Sequence, residues 1–109
     1  MNLPAPIRAY FDADGKPDGT PPISAFAQDA VVEDENHTYR GREAIDAWWR
    51  KAKAENQHVA EPITIDDKGE VTEVRAKVSG IFPGSPAELT FAFRLSDRED
   101  AIVGLRITA

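Results

Sequence analysis

The chain has no cysteine among its 109 residues. That excludes a disulfide frame, a thiolate metal site and a thiol nucleophile, and it fits a reducing, cytoplasmic setting. Histidine is scarce. Only His37 and His58 occur, so a histidine-rich catalytic metal centre is not expected, and neither is a cofactor. No apolar run approaches the length needed to span a membrane. The opening MNLPAPIRAYFDADG lacks a basic start followed by an apolar run, so a secretory signal is not expected. Basic charge is in deficit, with a net charge of −6, which opposes nucleic-acid binding. A soluble protein handling neutral or cationic small molecules fits this balance better.

The length suits one domain spanning residues 1–109, with a single core and little surplus stability. Ile7, Tyr10 and Phe11 recur at helical spacing, predicting a helix over Leu3–Ala13 with Pro4 and Pro6 in its first turn. Asp12–Pro22 is rich in Gly, Pro and Asp and reads as a loop. Asp12, Asp14 and Asp18 partly imitate a calcium loop. Lys16 and Pro17 occupy positions that would need a ligand and a glycine, so the expectation is a solvated turn. A short helix near Pro22 precedes a strand over Ala30–Glu35. Gly41 precedes the longest helix, about Arg42–Asn56, with Ile45, Trp48, Trp49 and Ala52 on its apolar face.

Beyond Glu55 the period changes to two. Strands are predicted over His58–Ile65, Val71–Phe82, Ala87–Ser96 and Ala101–Thr108, the last three as an antiparallel meander. Pro62 marks an edge or a bulge in the first of them. Inward positions are Thr72, Val74, Ala76 and Val78, then Leu89, Phe91, Phe93 and Leu95, then Val103, Leu105 and Ile107. The opposite face carries Glu73, Arg75, Lys77, Thr90, Arg94 and Arg106, suited to solvent or to a polar homodimer interface. The fold class is α+β, with helices on one face of a curved, mostly antiparallel sheet.

The residues Phe26, Asp29-Ala30, Val32-Glu33-Asp34 and Gly41-Arg42-Glu43-Ala44-Ile45 resemble the SnoaL-like branch of the nuclear transport factor 2-like (NTF2-like) superfamily. The resemblance implies a cone-shaped, cystatin-like α+β roll, often dimeric, with a pocket between helices and concave sheet. Within the superfamily the local likeness is to ketosteroid isomerase. It places Asp34 where that family carries its general base and Tyr10 where it carries an oxyanion-stabilising tyrosine. The second acid of that family has no counterpart, since the matching stretch Leu89–Phe93 contains none.

The residues themselves leave alternatives open. Asp34 either caps the strand end or acts as a base in an apolar wall, where burial raises a carboxyl pKa. Tyr10 is either a core tyrosine or the donor to a developing oxyanion. Trp48 and Trp49 point in different directions on one helix, one toward the core and one toward a cavity or partner. The expected pocket lining is Val32, Trp48, Trp49, Phe91, Phe93 and Leu105, with Tyr39 and His37 at its border. Three functions are consistent with this pattern: an isomerase of cyclic enolisable ketones, a non-catalytic carrier or sensor of a small apolar molecule, and a dimeric interaction module with a filled cavity.

Overall fold

The computed structural model describes every residue, Met1–Ala109. Its elements are α1 (Ala5–Asp14), a short 3₁₀ turn (Ile23–Ala25), β1 (Phe26–Asp34), β2 (His37–Arg40), α2 (Arg42–Asn56), β3 (Val59–Asp67), β4 (Thr72–Ser79), β5 (Ala87–Leu95) and β6 (Ile102–Thr108). The six strands form one sheet in the order β2-β1-β6-β5-β4-β3. Only the β1–β6 pair is parallel; the other neighbours are antiparallel. The result is an α+β roll, two helices packed on a mostly antiparallel sheet.

Helix α1 buries Ile7, Tyr10, Phe11 and Asp14. These positions follow the i, i+3, i+4, i+7 spacing of a single helical stripe, so Asp14 is carried inward by the same period as its apolar neighbours. Its surroundings overturn the expected solvated turn: Asp14 is 1% exposed. The helix closes where the Gly15 N–H donates to the Phe11 carbonyl at 2.9 Å.

Between β1 and α2 lies a strand the sequence pattern does not announce. Glu35 and Asn36 both take positive φ, 51° and 65°, which makes a two-residue hairpin whose twist matches its strands. β2 therefore pairs with β1, Asp34 opposite His37 and Val32 opposite Tyr39. Gly41 follows with φ +88°, a conformation an L side chain rarely adopts, and the chain turns into α2. Arg42 fastens the start of α2 to the start of β1, donating from Nε and Nη2 to the Phe26 carbonyl at 3.0 and 2.7 Å. α2 buries Ile45, Trp49 and Lys53, four residues apart on one face.

Edge strand β3 carries the irregularity expected at Pro62, where the register shifts between Pro62 and Thr64. β4 buries Thr72, Val74, Ala76 and Val78 as the alternation predicts. On β6 the alternation fails locally. The register shifts against Arg94 and Leu95, leaving Ile102 fully buried and Val103 half-buried, so Ile102 takes the core place expected of Val103. Tyr10 is the hub of the core. Its ring meets Phe11, Trp49 and Phe93 edge-on at centroid distances of 5.2, 5.3 and 5.4 Å.

Candidate functional site

The sheet register sorts the predicted lining residues into two rows. One cross-strand row is Asp34 on β1, Ile107 on β6 and Phe91 on β5; the next row down is Val32, Leu105 and Phe93. The upper row opens onto a cavity of about 430 Å³ between the sheet and the two helices. The lower row belongs to the closed core, and none of its three residues reaches the cavity. Val32, Phe93 and Leu105 are therefore not lining residues. They share the inward face with the cavity wall but lie one pleat period further along their strands.

The apolar wall is formed by Trp48, Phe91, Leu89, Ile107, Val78 and Phe82. Both tryptophans reach the cavity. Trp49 is the core member, 2% exposed, and its Nε1–H donates to the Gly19 carbonyl at 2.8 Å, tying down the loop after α1. Trp48 turns the other way and donates from Nε1 to Asp34 Oδ2 at 3.1 Å. Behind Trp48 lies Tyr39, with ring centroids 5.9 Å apart, and behind that His37 at 6.4 Å. Tyr39 supports the wall from outside the cavity. His37 is exposed, contacts the Glu35 carbonyl through Nδ1 at 3.0 Å, and is also absent from the lining. Both belong to edge strand β2, whose existence places them beyond the rim.

The polar lining groups are Tyr10, Asp14, Asp34, Glu35, Asn56 and His58. Burial raises the Asp34 pKa above the usual carboxylate value. The Trp48 hydrogen bond works against that rise, Glu35 adds to it, and His58 and a backbone hydrogen bond at Glu35 oppose it. Burial also pushes the Tyr10 hydroxyl well above its ordinary pKa, with the charges of Asp14 and Asp34 adding to the effect. A tyrosine held in its neutral form keeps its O–H available as a donor. The Tyr10 hydroxyl makes no hydrogen bond to any protein group, although its ring is packed on every side.

The sequence singles out Asp14 only as part of an imitation calcium loop and His58 only as one of two histidines, neither as a site residue. Asp14 Oδ1 lies 2.7 Å from Lys53 Nζ and 3.1 Å from His58 Nε2, in a setting where all three side chains are largely buried. Neither contact is aligned as a hydrogen bond, and His58 Nδ1 is buried without a partner. Lys53 Nζ also donates to three backbone carbonyls, Asp14, Lys16 and His58, at 3.3, 2.9 and 2.6 Å. The available signal was the helical period, which runs from Ile7 through Tyr10 and Phe11 to Asp14. For His58 no local pattern exists, because its contact, Asp14, comes from a distant part of the chain, the end of α1.

No group of three or more His, Cys, Asp or Glu side chains is arranged to hold a metal ion. No helix is long and apolar enough to cross a membrane. A second hollow, of about 490 Å³ near Asp67, Arg94 and Glu99, has mostly polar walls and contains none of the candidate residues.

Comparison with solved structures assigns the family. A protein of Sinorhizobium meliloti with the provisional name polyketide cyclase is 45% identical, with 97% of this chain and 95% of that chain covered at a TM-score of 0.89. The chain belongs to the SnoaL/NTF2-like superfamily. A protein from Catenulispora acidiphila with a ketosteroid isomerase-like fold, crystallised with trimethylamine, is also similar. It is 19% identical over 99% of this chain and 87% of its own, at a TM-score of 0.80. An epoxide hydrolase/cyclase-like enzyme of pyran ring formation in salinomycin shares the fold at 17% identity, 95% and 87% coverage and a TM-score of 0.67. No family model matches the sequence, and no curated protein does. The SnoaL/NTF2-like assignment fixes the architecture, while any chemistry depends on the side chains within the cavity.

Proposed function

We propose that this protein moves a proton within a small, mostly apolar, enolisable ketone. Asp34 serves as base and Tyr10 as donor to the developing oxyanion. The observation carrying this reading is that Asp34 and Tyr10 line one cavity whose remaining wall is chiefly aromatic and aliphatic. Its volume of about 430 Å³ lies within the range of small-ligand sites. A carboxyl with a raised pKa is a stronger base once ionised, and a neutral tyrosine stabilises charge that appears only as the enolate forms. The resemblance to ketosteroid isomerase at these two positions, and the cyclase and isomerase-like names among its structural neighbours, support the same class. A homodimer through the outer sheet face, where Arg75 bonds Thr90 and Glu88, accompanies this proposal.

The test is turnover of a panel of β,γ-unsaturated cyclic ketones, followed by ultraviolet absorbance of the conjugated product. Asp34→Asn is expected to abolish turnover and preserve ligand binding. Tyr10→Phe is expected to lower kcat by about 10²–10³-fold, the usual effect of losing one oxyanion donor. Its fold should survive, because the hydroxyl has no protein partner to lose. No wild-type turnover across the panel, with ligands still raising the melting temperature, would replace this reading with that of a carrier. The Trp48 hydrogen bond to Asp34 favours that second reading, since it can hold the carboxylate as a fixed acceptor for a bound molecule.

A further inference from the structure

Two aspartates and two indoles line the cavity, and they form two pairs. The first is Asp14 with Trp49. The Lys53 ammonium sits 2.7 Å from Asp14 Oδ1 and 5.3 Å from the centroid of the Trp49 ring. A carboxylate and an indole face thus hold one cation together. The second pair is Asp34 with Trp48, joined by the indole N–H at 3.1 Å. No lysine, arginine or histidine forms an ion pair with Asp34. The Trp48 bond goes to Oδ2, and Oδ1 accepts no hydrogen bond from another side chain. An indole that donates to an anion gains electron density in its ring, which strengthens its attraction for a cation.

The rest of the lining has the same sign. None of its residues is lysine or arginine. Asp14 on α1 is compensated by Lys53 on α2, and the His58 ring lies against it at 3.1 Å. Asp34, at the end of β1, has Glu35 beside it in the turn to β2. Tyr10, Trp48, Trp49, Phe82 and Phe91 bring five aromatic rings. An anionic ligand would meet these acids with no lysine or arginine to offset them, and a neutral one would bury the Asp34 charge without a counter-charge. An ammonium ion with apolar substituents suits the carboxylate and the rings at once. The Tyr10 hydroxyl also points to a ligand. Tyr10 is 1% exposed and lines the cavity, and the protein leaves its O–H to whatever fills that space.

We propose that the cavity selects an apolar ammonium ion, bound by the Asp34 carboxylate and the Trp48 ring as the chain's own Lys53 is bound by Asp14 and Trp49. The inference goes beyond the proton-transfer reading, since a carboxylate and an indole attract a cation whether or not the carboxylate also moves a proton.

The test compares two probes of one shape, phenyltrimethylammonium and its neutral carbon isostere tert-butylbenzene. Binding is followed by NMR of the indole N–H signals of Trp48 and Trp49 in wild type and Asp34→Asn, and of Trp49 in Trp48→Leu. Thermal melts check that each variant is folded. Wild type is expected to bind the cation about 10-fold more tightly than the isostere, the effect of one charge contact in a partly desolvated site, and to shift Trp48 more than Trp49. Asp34→Asn keeps the shape of the side chain and removes its charge. It should bring the two dissociation constants within about threefold, by weakening the cation and sparing the isostere. Trp48→Leu should weaken the cation more than the isostere.

Equal or tighter binding of tert-butylbenzene to wild type overturns the proposal. So does an unchanged preference in Asp34→Asn, which would place the cation elsewhere on a chain of net charge −6. Absence of phenyltrimethylammonium binding overturns it as well. None of these readouts measures turnover. A wild type that is inactive on ketones and still prefers the cation removes the proton-transfer reading alone. Ketone turnover without cation preference removes this inference alone.

Discussion

The indole N–H of Trp48 donates to Asp34 Oδ2 across 3.1 Å, joining the middle of α2 to the last residue of β1. This bond sets two properties of the site at once. It holds the carboxyl against the aromatic wall, where burial raises its pKa, and it stabilises the ionised form, which limits that rise. The carboxyl is thereby kept near the cavity without being made a permanent acid.

Removing the indole donor while keeping an aromatic ring isolates the second effect. Trp48→Phe takes away a hydrogen bond that favours the charged form, so the Asp34 pKa should rise further. The carboxyl carbon signal of Asp34, followed by NMR through acid titration, is expected to titrate at higher pH in the variant. A midpoint that stays in place or moves down would mean that the bond does not restrain the carboxyl.

The same raised pKa carries a stability consequence. Asp34 has a higher pKa folded than unfolded, so between those two values the folded state holds more protons than the unfolded one. Stability contributed by this group is present below the unfolded pKa and is lost as pH rises through the folded pKa. Asp34→Asn carries no such titration. Its stability relative to wild type should therefore increase from acid toward neutral pH, as measured by urea melts across that range. A constant difference would show that Asp34 is not desolvated in solution.

Much of this fold follows from local pattern. The stripe Ile7, Tyr10 and Phe11, the apolar face of α2 and the alternation of β4 each lie within a window that one period describes. The departures have local causes that a period cannot register. β2 depends on Glu35 and Asn36 adopting positive φ without a glycine between them. Ile102 displaces Val103 because the register against Arg94 and Leu95 slips. Within the site, Asp34 and Tyr10 are legible through their resemblance to a known pair. Phe91 and Phe93 look equivalent in sequence, and only the cross-strand register, which sets Phe91 beside Ile107 and Phe93 beside Leu105, separates cavity wall from closed core. His58 and Asp14 are meaningful only together, and the chain brings them together through Lys53.

Lys53 is the fastener of that cluster, and its removal has a calculable sign. The ammonium is buried against Asp14 and satisfies carbonyls of Asp14, Lys16 and His58. Lys53→Met keeps most of the stem and strands the carboxylate, so a loss of about 3–5 kcal/mol in unfolding free energy is expected. Combining it with Asp14→Leu removes the stranded charge. The double variant should then be more stable than the sum of the two single losses. Additive losses in urea denaturation would show that the two side chains do not act as a pair.

Gly80 tests how closely the chain must approach the histidine. A Cβ at this position would lie 2.6 Å from the Asn56 carbonyl oxygen and 2.8 Å from His58 Cα. Both are backbone atoms at the α2–β3 junction, so no flexible side chain can swing aside. Gly80→Ala must push the end of β4 away from that junction, and an overpacked site of this kind costs about 1–3 kcal/mol. The displaced backbone carries His58, which lines the cavity. The variant should therefore lose turnover as well as stability, whereas Gly69→Ala, at a glycine with nothing within 4 Å, leaves His58 where it is. Gly69 has φ +91°, so Gly69→Ala should also cost some stability through backbone strain. The two variants can thus be matched in stability loss and compared in activity. Equal turnover in such a matched pair would show that this part of the cavity wall does not govern the chemistry.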